Sequence, residues 1–171
     1  MRKYFLYPLA FVAVGACASP NDVNVFNVQQ SNRNLAHKAY YWYGLHERKN
    51  RETIKAITGV DPVRTEWCAA FVNMVLLENG IPRSSSVSPY PLMARSFLAW
   101  GEEVETPKQG DIVVFERGES GWQGHVGFFV SEKIEDGQKW IYVLGGNQND
   151  EVNVSRYPAS KLLSVRRHVL Q

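Results

Sequence analysis

The segment Glu66-Trp67-Cys68-Ala69-Ala70-Phe71-Val72-Asn73-Met74-Val75-Leu76-Leu77-Glu78-Asn79-Gly80 decides how the chain is read. Thr65 stands where a cap belongs and Gly80 with Pro82 ends the run, so the pattern predicts a helix over 66–79. Its apolar residues lie on almost every side, and such a helix is buried against several neighbours. Upstream, Leu35, Ala39, Tyr40 and Tyr43 follow helical spacing across 34–45. A second short helix is expected from a cap at Asn50 to Thr58, where Gly59 stops it. Downstream, a Ser-rich loop over 83–88 leads to a helix expected over 91–100. After Gly110 the period falls to two, and 111–116, 124–131, 139–146, 151–156 and 163–169 read as strands joined by short turns. Helices first and strands after predict an α+β domain, with the Cys-bearing helix packed on an antiparallel meander of about five strands.

The 171 residues are 44% apolar, 21% charged and 12% aromatic, enough for one core and too evenly charged for disorder. No apolar run reaches the roughly 18–20 residues of a membrane-spanning helix. No Gly-rich phosphate-binding loop occurs, which argues against nucleotide chemistry. The net charge of +2 is 19 basic against 17 acidic residues, and Arg2 and Lys3 account for the surplus. A neutral remainder gives no reason to expect a nucleic-acid partner.

Arg2 and Lys3 precede an apolar stretch from Tyr4 to Ala16, the layout of a secretory signal. It ends in Val14-Gly15-Ala16-Cys17, which resembles the lipobox of bacterial lipoproteins, where the Cys takes the lipid. The expected organisation is a signal peptide with lipidated Cys17 over 1–17, a polar tether over 18–33 and one folded domain over 34–171. In a Gram-negative cell, Ala18 rather than Asp after the Cys points to the outer membrane, facing the periplasm; otherwise the expectation is a membrane-anchored protein of the cell envelope. A plain leader cut after Ala16 or Ala18 is the alternative.

Cys17 belongs to the leader, which leaves Cys68 alone in the domain. One exported thiol without a partner makes no disulfide and points to reactivity, although lone Cys residues also fill cores. Cys68 is expected in the first turn of its helix, where unpaired N–H groups and the dipole favour a thiolate. Such settings lower a thiol from about 8.5 to roughly 3.5–7.5. His125, at the start of an alternating strand, is a candidate base to take the Cys proton. Its orienting partner depends on the next turn. A three-residue loop Glu135-Asp136-Gly137 sets Asn147 opposite His125, on the same face. A two-residue loop Asp136-Gly137 turns Asn147 away and offers Gln148 instead. Asp111 reads as a turn residue, and His37, His46 and His168 show no ligand spacing. One thiol and four scattered His residues make no zinc motif, so no metal or other cofactor is expected. Trp100, Trp122 and Trp140 are either core or groove residues, with core favoured for Trp140.

Four stretches in order carry a family resemblance: 66–73 around Cys68, Gly110-Asp111-Ile112-Val113-Val114-Phe115, Gly124-His125-Val126-Gly127-Phe128, and Leu144-Gly145-Gly146-Asn147-Gln148. Over about 35–170 the chain resembles the NlpC-type papain-like cysteine peptidases and their CHAP amidase relatives, which hydrolyse bacterial peptidoglycan. It is most similar to a small phage- and bacteria-encoded branch with the same Gly-Gly-Asn-Gln ending. The resemblance implies a papain-like fold, Cys68 as nucleophile, His125 as base and Asn147 as orienter. It implies cleavage at a stem peptide or at the glycan–peptide junction, by a protein expected to be a monomer held at the membrane through Cys17. Many CHAP amidases carry a Glu two residues before the Asn, where this chain has Gly145. Relatives place an oxyanion donor just before the Cys or on an upstream Tyr. Glu66 cannot donate when ionised, which leaves helix N–H groups, with Trp67, Tyr43 and Gln148 as the oxyanion or substrate candidates. Two other functions fit the same residues: an inactive wall-binding lipoprotein, or a cysteine amidase or transferase for another acyl substrate.

Overall fold

Asp136 and Gly137 both have positive φ, 51° and 75°, and between them they close a two-residue turn that pairs Glu135 with Gln138. Asp-Gly favours this turn because its twist matches that of the flanking strands. The computed structural model describes residues 34–168. The expected leader with Cys17, the tether over 18–33 and Val169 of the last expected strand lie outside the described residues.

Three α-helices come first: α1 (Leu35–Tyr40), α2 (Arg51–Thr58) and α3 (Cys68–Glu78). The strands follow as β1 (Glu102–Glu103), β2 (Ile112–Glu116), β3 (Gly124–Glu135), β4 (Gln138–Gln148), β5 (Glu151–Pro158) and β6 (Leu162–Arg167). They form one sheet in the order β1-β6-β2-β3-β4-β5, antiparallel throughout. The architecture is α+β, as the change of period implied. The meander covers β2 to β5, while β6 crosses back to lie beside β2, and the two-residue β1 makes six strands.

Two helices are shorter than their sequence pattern. Asn34 caps α1 by accepting from the N–H groups of Ala36 and His37, but beyond Tyr40 the chain runs on in i→i+3 turns. Gly44, at φ 84°, then turns it onto β5, where its N–H bonds Val152 O. The segment expected as a helix over 91–100 is a 3₁₀ helix from Ala94 to Ala99. Trp67, not Thr65, occupies the cap position of α3, so Cys68 is its first helical residue.

Every residue of α3 from Cys68 to Leu76 is buried, in agreement with its apolar surface. The helix face of the sheet supplies Ile112, Val114, Val126, Phe128, Leu144 and Val152 to this core. Val113, Phe115, Phe129, Ile141, Val143 and Val165 pack in a second core on the other face. Asn73, the one polar residue in the buried run, is fully used. Its amide donates to Ser84 Oγ at 3.0 Å and Pro91 O at 2.8 Å and accepts from Ser84 N–H at 2.8 Å. That network pins the loop leading to Leu92 and Met93 against the helix. Arg95 Nε donates to Gln123 O at 2.7 Å and fixes the residues just before His125.

Candidate active site

The pairing of β3 with β4 stops at Phe128 and Leu144, although both strands continue. The start of α3 fills the gap they leave. Gly146 lies against Trp67, whose ring atom Cζ3 would be 2.5 Å from a Cβ there, so only glycine lets helix and strand meet this closely. The backbone N–H groups of Val126 and Ala69 lie close enough to the Cys68 sulfur to favour its thiolate. The thiol therefore lies beside the peptide that follows His125.

Burial pushes the Cys68 thiol up and Glu66 adds to the rise, while the two N–H groups and Arg117 act the other way. At 4% exposure, loss of water is the largest influence on the thiol and opposes the lowering expected at a helix N-terminus. His125 is only 1% exposed, and burial lowers its pKa to about 4 in spite of the hydrogen bond it donates to Gln148. Both shifts favour the uncharged forms, thiol and imidazole.

Gln148 holds the ring. His125 Nε2 lies 3.0 Å from Gln148 Oε1, which also accepts from the Tyr157 hydroxyl at 3.0 Å. The Gln148 Nε2 group donates to Asn153 O at 2.6 Å, Asn153 Oδ1 at 3.0 Å and Val143 O at 3.2 Å. With its nitrogen committed to acceptors, Gln148 can only present oxygen to the imidazole. His125 Nε2 must then carry the proton, which leaves Nδ1 as the basic nitrogen. Tyr157 stacks on the His125 ring at 4.9 Å and 20°, and Phe115 stacks on Tyr157 at 4.9 Å and 27°.

This arrangement corrects the expected role of Asn147, for a reason of register. The turn is the two-residue one, but a bulge at Val130 shifts β3 so that Phe128 pairs with Leu144. Counting on would bring Asn147 level with His125, as a three-residue loop would have done. A second bulge intervenes in β4, between Gly145 and Gln148. Asn147 occupies it with φ 59°, a left-handed conformation that Asn tolerates better than most residues. The extra residue turns the Asn147 side chain out to donate to Glu66 Oε2 and brings Gln148 in.

Thiol and imidazole line adjoining clefts. Cys68 lines a cleft of about 320 Å³ with Leu92, Met93, Trp122 and Gly124. His125 lines another of about 570 Å³ with Gln148, Tyr157, Arg156 and Lys161. Arg117 lines both, and its guanidinium lies 3.3 Å from Glu66 Oε2 on the ridge between them. Two further candidates are not brought to the site. Trp67 is fully buried, edge-on to Phe71, as a core residue. Tyr43 is half exposed, stacked on Tyr40, and lines neither cleft. Asp111 closes a turn with Lys108 N–H and pairs with Arg167, matching its reading as a turn residue. Trp122 is exposed at the Cys68 cleft, Trp100 is core, and Trp140 lies under Arg156.

Sequence reasoning passed over Tyr157, Asn153 and Arg117. The signal for the first two was the alternation Asn153, Ser155, Tyr157, three polar-tipped residues on one strand face. Arg117 falls in a loop, where no period applies. Gly145 has a local explanation. A Cβ there would sit 3.5 Å from His125 Nε2 and 3.3 Å from Gln148 Oε1, so the missing side chain leaves room for the Gln148 amide.

The profile of the CHAP domain matches residues 60–147, just over half of the chain, and the chain belongs to that family. CHAP domains are papain-like cysteine- and histidine-dependent amidohydrolases or peptidases, which points to peptidoglycan as the substrate. No curated protein and no solved structure matches the chain significantly.

Proposed function

We propose that this CHAP-family chain is an exported, lipid-anchored cysteine hydrolase that cuts an amide bond in peptidoglycan, as a stem-peptide endopeptidase or an N-acetylmuramoyl-L-alanine amidase. The observation that carries the reading is that α3, which Cys68 opens, packs at Trp67 and Phe71 onto Gly146 of β4, beside an imidazole held by Gln148 and Tyr157. Cys68 gives its proton to the basic nitrogen of His125, and the sulfur attacks the substrate carbonyl. The backbone N–H groups that open α3 face the developing oxyanion. The imidazolium then protonates the leaving amine, and water, deprotonated by the same ring, releases the acyl group from sulfur. Gln148 takes the orienting role that the resemblance gave to Asn147. Lipidation of Cys17 and sorting to the outer membrane would hold the domain beside the wall it cuts.

Cys68→Ser, measured by the release of fragments from purified peptidoglycan, is expected to abolish hydrolysis with the fold intact. Retained release in that variant removes the mechanism. A second reading, a wall-binding lipoprotein without activity, is favoured by a thiol and an imidazole both shifted toward their uncharged forms, in adjoining clefts. Iodoacetamide separates the two. Labelling of Cys68 that accelerates when peptidoglycan fragments bind supports the enzyme, whereas a thiol inert with and without them supports the scaffold.

A further inference from the structure

The cleft on the His125 side differs in charge from the one on the Cys68 side. Arg117, Arg156 and Lys161 line it against one acid, Glu116. Arg156 is held in the wall by Glu135 and by the Trp140 ring beneath it, 4.5 Å away. Lys161 has no ion-pair partner among the described residues. Arg117 is paired with Glu66, but both are exposed, at 55% and 74%, and such a pair is weak enough for a ligand to replace. The Cys68 cleft offers Leu92, Met93 and the exposed Trp122 instead.

If Cys68 is the nucleophile and His125 the acid, the two clefts have different tenants. The acyl fragment stays on sulfur and occupies the Cys68 side. The amine departs with a proton from His125 and occupies the other. Resting on that reading, we propose that the His125-side cleft is the subsite for the leaving amine and selects a peptide segment bearing a free carboxylate, with Lys161 and Arg117 as its ligands. Glu66 then acts as a stand-in carboxylate on Arg117, displaced when the acidic segment arrives.

The test uses muropeptides cut from purified peptidoglycan by a muramidase, either native or with every free carboxyl converted to carboxamide by carbodiimide and ammonia. Binding is measured by calorimetry on the Cys68→Ala protein, so the subsite is read without hydrolysis. Native muropeptides are expected to bind about fivefold tighter or more, with the preference falling as salt rises. Lys161→Glu, an exposed change checked by thermal melting, is expected to bring the native-to-amidated ratio close to one. Equal binding of the two by the unmutated cleft, or a preference that survives Lys161→Glu, overturns the subsite. In the wild-type protein, the free-amine product is expected to inhibit competitively, and only when its carboxylates are unmodified. Inhibition confined to the acyl product would overturn the assignment of sides. Absence of hydrolysis alongside discriminating binding removes the enzyme reading and leaves a binding cleft for acidic peptides, so the two failures are distinguishable.

Discussion

Gln148→Ala removes an acceptor from His125 and Tyr157 and a donor from Asn153 and Val143 in one step. Gln148 is 3% exposed, so water does not readily replace the amide. A buried polar group left without a partner costs about 1–3 kcal/mol. The His125 Nε2 proton, the Tyr157 hydroxyl and the Asn153 carbonyl lose a partner together, giving a destabilisation of roughly 3–6 kcal/mol. Loss of the ring's orientation, valued at one to two such bonds, lowers turnover by about tenfold to hundredfold. Urea denaturation reads the first quantity. Fragment release from peptidoglycan, corrected for the folded fraction, reads the second. Asn147→Gly is the companion variant, because glycine keeps the left-handed bulge at φ 59° while removing the side chain. It is expected to retain turnover within about threefold, since only an exposed contact with Glu66 is lost. A folded, active Gln148→Ala beside an inactive Asn147→Gly would refute the assignment of the orienter.

Three other outcomes follow from the same geometry. His125 titrates near pH 4 in the fold against an ordinary 6.5, so the unfolded chain binds the proton first. The stabilisation is therefore whole above pH 6.5 and drains away as the pH falls to 4, about 3 kcal/mol in all, which urea midpoints across that range will read. His125→Gln should flatten the dependence; an unchanged slope would mean that another group carries it. Gly146→Ala sets a Cβ within 2.5 Å of Trp67 and 2.8 Å of Phe71 and is expected to lower stability by about 1–3 kcal/mol, visible as a lower melting temperature. Asn73→Ala leaves Ser84 N–H unpartnered and Pro91 O with only the longer bond from Ser84 Oγ at 3.4 Å, and a loss of about 1–3 kcal/mol is expected on denaturation, with faster proteolysis in the loop over 83–92.

The sheet and the buried helix were legible because both rest on strong apolar patterning. The apolar run Ile112–Phe115, buried on both faces of the sheet, and the unbroken apolar surface of α3 survive any detail of packing. The limits of α1 and the 3₁₀ character of 94–99 were not, because tertiary contacts decide them: Gly44 N–H finds Val152 O on β5. At the site, Cys68 and His125 stand out by residue type and position, whereas the choice between Asn147 and Gln148 depends on two bulges. Val130 and Asn147 each insert one unpaired residue, and each insertion reverses which side chains face the ring. A hairpin count starts at the turn and cannot see either. Gly-Asn inside a strand pattern was the available hint, since those residues favour a left-handed bulge.

The exchange at Gly145 and Gln148 gives the site its electrical character. A carboxylate beside Nε2 would stabilise an imidazolium and, through it, a thiolate at rest. An amide cannot. Gln148 fixes which nitrogen carries the proton without contributing charge, while burial works against ionisation of both partners. Arg117 opposes an imidazolium further, yet its field is offset by Glu66 on the ridge. On the proposed reading, the charges needed for attack arise together, as the proton crosses from sulfur to nitrogen with the carbonyl already in contact. On that reading the thiol stays protonated, and so sheltered from oxidation, until a substrate fills the clefts on both sides, and reactivity is tied to occupancy of the site and not to the resting acidity of the cysteine.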